Sequence, residues 1–125
     1  MSVKNVITWF DLPTLDFERA VKFYSEILGE PVRVGEHRGL KHGFFPMEKT
    51  GDVGGNILPP SDDLKPSANG IRVYFCCEGR IDEAISKVEK AGGKIIRLKL
   101  SIGQAGWIAI IQDTEGNIVG LHSTK

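Results

Sequence analysis

The chain has 125 residues, with 16 basic and 16 acidic side chains that cancel, and 41% of its residues are hydrophobic. That length suits one domain able to bury roughly two-thirds of its unfolded surface without help from a metal or a disulfide. The charges are interspersed and no apolar run approaches the ~20 residues that cross a bilayer, so neither a nucleic-acid footprint nor a membrane segment is expected.

Residues 1–11 lack the charged region, long apolar core and small-residue cleavage site of a signal peptide. The run from Val6 to Leu12 is rich in β-branched and aromatic residues and stops at Pro13, which predicts a strand entering a turn. A helix follows. Asp16 is placed to cap it, Phe17, Ala20, Val21, Tyr24, Ile27 and Leu28 form one apolar stripe, and Gly29 supplies a left-handed stop. Three short strands are then expected at Val32 to His37, Gly43 to Met47 and Val53 to Leu58, with turns around Gly39 and Gly51. The polar, proline-rich stretch from Pro59 to Asn69 reads as a linker.

Beyond the linker the same order returns. Ile71 to Cys77 is a strand candidate, and Ile81, Ala84, Ile85 and Val88 make a helical stripe that Gly92 and Gly93 end. Strands are expected at Lys94 to Leu100, Trp107 to Gln112 and Asn117 to His122, the last two joined by a tight turn through Asp113, Thr114, Glu115 and Gly116. Cys76 and Cys77 are adjacent in a strand, point to opposite faces and should not pair, which fits a reducing cytoplasm. A shift of 64 takes Phe17 to Ile81, Ala20 to Ala84 and Gly29 to Gly93, and a shift of 66 takes Gly54 to Gly120. Two copies of one βαβββ unit, about residues 3–58 and 70–123, therefore make an α+β domain that holds a cup.

The segments Asp16 to Gly29 and Asp113 to Ser123 resemble the first helix and the terminal hairpin of the vicinal oxygen chelate superfamily, which includes glyoxalase I, bleomycin-binding proteins and ring-cleaving dioxygenases. The resemblance covers nearly the whole chain. It implies that two modules close a U-shaped, cup-like mixed sheet around a pocket with the helices outside. In metal-dependent members a His or Gln in the first strand of each module and a Glu in its last hold a divalent ion. Those positions fall here on Trp9, Val73, Gly54 and Gly120, none of which offers a metal donor, so no metal and no cofactor are expected.

Trp9 and Asp11 share a strand face that should point into the cup. Trp9 either stacks a ligand or fills the cup as core. His122 lies two residues beyond the vacant Gly120 site, and Asn56 holds the matching place in the first copy. Val73 and Phe75 are expected to line the pocket from the second copy, while His37, His42 and Glu48 around the first hairpin, a neighbourhood that Arg38 and Lys41 make locally basic, read as solvated surface, the alternative being a displaced two-His-one-carboxylate metal site such as His42, Glu48 and His122. Trp107 faces either the cup or a partner subunit, and Cys77 lacks a neighbouring base. The resemblance thus implies a metal-independent binding protein for an amphiphilic or aromatic small molecule, paired as a homodimer. The alternative is a lyase or isomerase with a displaced metal or a His122 and Asp11 acid-base pair.

Overall fold

The computed structural model describes residues 4–125, so the expected start of the first module at about residue 3 falls outside the described residues. The first unit comprises β1 (Asp11–Leu12), α1 (Phe17–Leu28), β2 (Arg33–His37), β3 (Leu40–Phe44) and β4 (Asn56–Ile57). The second comprises β5 (Tyr74–Cys76), α2 (Ile81–Val88), β6 (Lys94–Ser101), β7 (Trp107–Gln112) and β8 (Ile118–Ser123). Both units have the same sheet order, β1-β4-β3-β2 and β5-β8-β7-β6. In each, the first strand runs parallel to the last and the remaining pairs are antiparallel. The tandem βαβββ architecture is the one expected, its mixed sheet divided into two four-stranded halves.

Local chemistry sets the element ends. The Asp16 carboxylate accepts the Arg19 N–H at 3.1 Å and Gly29 closes α1 at φ 73°, a conformation that costs a residue with a Cβ. Helix α2 ends in a Schellman motif, in which the Gly93 N–H reaches the Val88 carbonyl and the Gly92 N–H the Glu89 carbonyl. Between β2 and β3, Arg38 at φ 53° and Gly39 at φ 78° form a two-residue turn of the kind that matches strand twist. Strand β3 therefore starts at Leu40, three residues before the expected Gly43. The first strand is also shorter than the expected Val6 to Leu12. Parallel bonds from Asn56 and Leu58 to the Phe10 and Leu12 carbonyls hold its end, while Val6 and Ile7 are exposed.

One face of each sheet packs under the helices. Leu12, Phe45 and Ile57 from the first unit join Phe75, Ala109, Ile111, Val119 and Leu121 from the second around Phe23, Tyr24, Ile27, Ala84 and Val88. Phe75 is the hinge of this shared core, with its ring 5.1 Å from both Tyr24 and Phe45 and 5.7 Å from Phe10. Burial of each such side chain is worth ~1.5–3 kcal/mol, so the two units stabilise each other.

Polar contacts across the units are concentrated at their ends. The Glu115 carboxylate, in the turn between β7 and β8, accepts the N–H groups of Leu15 and Asp16 and the Arg19 guanidinium. Asp113 accepts the Tyr24 hydroxyl at 2.6 Å, and Asn117 donates to the Pro13 carbonyl. Arg80 stands where Asp16 stands in the first unit but cannot accept a hydrogen bond. Its guanidinium instead donates to the Ile27 carbonyl at the end of α1.

Candidate functional site

The cup is the sheet face opposite the helices, and strand register decides what it presents. In the first unit Asp11 pairs with Asn56 and Asn56 with Phe44, which places Trp9, Asp11, His42, Phe44, Gly54 and Asn56 on the cup side. In the second, Tyr74 pairs with Gly120, Cys76 with His122, Ile110 with Gly120 and Ile108 with His122. The counterpart of Trp9 is therefore Tyr74, not Val73. The connection between first strand and helix is one residue shorter in the second unit, so the strands correspond by a shift of 65 and the helices by 64.

Phe75 is 7% exposed in the helix-side core, and Val73 packs against the same core. Both reach ligand-sized space only at the seam between the sheets, where a cleft of about 390 Å³ is lined by Phe10, Gly54, Val73, Tyr74, Phe75 and Cys76 among others. Trp107 belongs to the helix side too, with the Lys99 ammonium 4.6 Å from its ring. Cys77 is fully buried and its thiol is pushed up to about 11 by that burial, so it stays protonated.

The four family metal positions carry two rings over two glycines. A Cβ at Gly54 would lie 3.1 Å from the Trp9 ring and 2.6 Å from the Met47 sulfur, and a Cβ at Gly120 would overlap the Tyr74 ring. Trp9 and Tyr74 are each 44% exposed and so remain accessible. An indole and two glycines supply no donor, and one phenol oxygen does not make a chelate. The residues present do not fit the family's metal. Among the described residues no group of three or more His, Cys, Asp or Glu side chains is disposed to hold an ion. His42 in β3, Glu48 in the following loop and His122 in β8 do not form one either.

Asp11, Asn56 and His42 form a connected chain. The Asn56 amide donates to the Asp11 carboxylate at 2.5 Å, and the Asn56 carbonyl oxygen meets His42 Nδ1 at 2.6 Å. The carboxylate accepts only, so it fixes the amide with its NH₂ toward Asp11 and its oxygen toward the imidazole. His42 Nδ1 must then carry the hydrogen, and Asn56 is buried at 3% exposure beneath the other two. The His42 ring stacks on Phe44 with centroids 5.8 Å apart and planes at 12°.

His122, by contrast, meets the Ala105 carbonyl through Nε2 at 2.7 Å. It sits beside Cys76 in the second sheet and does not join Asp11. The expected symmetric pair of Asn56 and His122 is present by register, but only Asn56 belongs to a side-chain network. Tyr74 and Cys76 are cup residues that pattern reading left out, and His42, read there as solvated surface or part of a displaced metal site, faces the cup within a side-chain network.

The model of the Glyoxalase/Bleomycin resistance protein/Dioxygenase superfamily matches residues 6–121. CFP32 of Mycobacterium tuberculosis and Mycobacterium bovis, provisionally named a glyoxylase, is 29% identical over 119 residues covering 90% of this chain. The chain spans 43% of the length of those relatives. Among solved structures, a glyoxalase/bleomycin resistance protein from Albidiferax ferrireducens superposes with a TM-score of 0.70 at 17% identity, covering 95% of this chain and 98% of that one. The genomically encoded fosfomycin resistance protein of Listeria monocytogenes gives 0.68 at 15% identity, over 97% and 94% of the two chains. At such identities the likeness establishes the fold alone.

Proposed function

The chain belongs to the glyoxalase, bleomycin resistance protein and dioxygenase superfamily, and from that premise we propose that it binds a small aromatic or amphiphilic molecule in its cup without a metal ion. The observation that carries this reading is the pair of rings, Trp9 over Gly54 and Tyr74 over Gly120, standing where the family places metal ligands. Both faces are half-exposed, and Tyr74 lines the seam cleft together with Gly54, the glycine under Trp9, so they offer stacking surface for a planar or cationic ligand.

The test uses Trp9 as its own reporter. In a Trp107→Phe variant, whose remaining indole is Trp9, aromatic compounds that enter the cup quench or shift its emission saturably. The titration is expected to be unchanged by a chelator or by added zinc, and to weaken on Tyr74→Ala. Binding that requires a divalent ion, or a broad compound library with no effect on emission or melting temperature, would overturn the proposal.

A further inference from the structure

We propose that His42 is the polar anchor of the cup and selects an aromatic ligand carrying an acidic hydroxyl, a phenol, whose O–H donates to Nε2. This assignment rests on the reading of the cup as a binding site and names the chemistry that site takes.

The argument runs outward from Asp11. The Asp11 carboxylate orients the Asn56 amide and the buried amide oxygen takes the Nδ1 hydrogen of His42, so the neutral form of the ring presents its bare lone pair at Nε2. Among the described residues Nε2 has no hydrogen-bond partner, whereas the corresponding nitrogen of His122 is occupied by the Ala105 carbonyl. Of these two histidines one is committed to the protein and one keeps an open acceptor, while His37, on the same face of β2, lies edge-on to the His42 ring at 6.2 Å. A half-buried sp² nitrogen that can only accept is best matched by an acidic hydroxyl.

The surroundings of that acceptor are aromatic. Phe44 lies stacked against the His42 ring, so a ligand hydroxyl at Nε2 brings its own ring to an apolar surface. Trp9 shares the β1 face with Asp11, two residues away, and supplies a second ring on the same floor.

Two measurements test this. Long-range ¹H–¹⁵N spectra of the ligand-free protein should show His42 as the Nδ1–H tautomer, and Asp11→Ala should release it to a mixture. An Nε2–H tautomer in the wild type would sink the proposal. Calorimetric titration should then show β-naphthol binding several-fold to about tenfold more tightly than its methyl ether, the worth of one hydrogen bond. His42→Phe, which keeps a ring against Phe44, should remove that preference while the ether still binds. Equal affinities for alcohol and ether, unchanged in His42→Phe, would refute the anchor and leave the cup standing as a binding site. Binding of neither probe would count against both.

Discussion

Replacing Glu115 by glutamine removes the charge that ties the second unit to the first, and its size can be worked from the structure. The carboxylate is 3% exposed, a placement that by itself raises its pKa through desolvation. Hydrogen bonds from Arg19, Thr114, Asp16 and Leu15 outweigh that penalty and hold it at about 2, against an ordinary 4.5. A folded-state value below the unfolded one means stability that is fully present above about pH 4.5 and lost as the pH falls toward 2. The difference of about 2.5 units corresponds to about 3 kcal/mol at neutral pH, at ~1.4 kcal/mol per unit. Urea denaturation of wild type and Glu115→Gln at a series of pH values isolates this group, because every other carboxylate is common to both proteins. The gap in unfolding free energy should be about 3 kcal/mol at pH 7 and should shrink by more than half by about pH 3. A gap below about 1 kcal/mol at pH 7, or one that does not change with pH, would refute the assignment of Glu115 as the clamp between units.

Tyr24→Phe removes the hydroxyl that Asp113 accepts in the core, a group whose ionisation burial already pushes well above its usual range, and should cost about 1–3 kcal/mol in the same assay. Gly120→Ala forces the Tyr74 ring out of its place and should cost ~1 kcal/mol or more, but close to nothing in a Tyr74→Ala background. Additive costs in that double-mutant cycle would contradict the packing of ring on glycine. A thiol reagent should label one cysteine of the native protein, the exposed Cys76, and reach Cys77 only after unfolding. Two labels in the native state would show that Cys77 is not sealed in the core.

The helices were legible because their signals are local. Asp16 and Gly29 mark the ends of α1, and a 3 and 4 spacing of apolar residues marks its buried side whatever the rest of the chain does. Strand faces were less legible, since alternation assigns residues to two sides but only pairing says which side is which. A one-residue difference between Trp9 to Asp16 and Tyr74 to Arg80 turned the second strand over, putting Val73 on paper where Tyr74 stands in space. His42 was obscured by its neighbours. The neighbouring Arg38 and Lys41 give the segment the charge of a solvated hairpin tip, although Lys41 points to the helix side, where it meets Glu18, and strand alternation turns His42 toward the cup. Its partner Asn56 lies 14 residues away, beyond the reach of local pattern.

The groups that hold this molecule together are mostly distinct from those on the cup face of the sheets. Tyr24, Phe75, Arg80, Asp113, Glu115 and Asn117 join the two units from the helix side and from the β7 to β8 turn, and none of them depends on what stands at Trp9, Gly54, Tyr74 or Gly120. A fold braced in that way does not need a metal to close it. The chelating positions could therefore be given over to rings and glycines without a stability penalty from an unfilled site, since two aromatic side chains occupy the space that four donors would have left polar. The polar chemistry that remains in the cup is displaced by one residue pair along β1 and β4, from the Trp9 and Gly54 level to Asp11 and Asn56, and ends at His42. Under the proposed binding role, that displacement suits the cup to a donor and a flat ring rather than to two oxygens arranged for a cation.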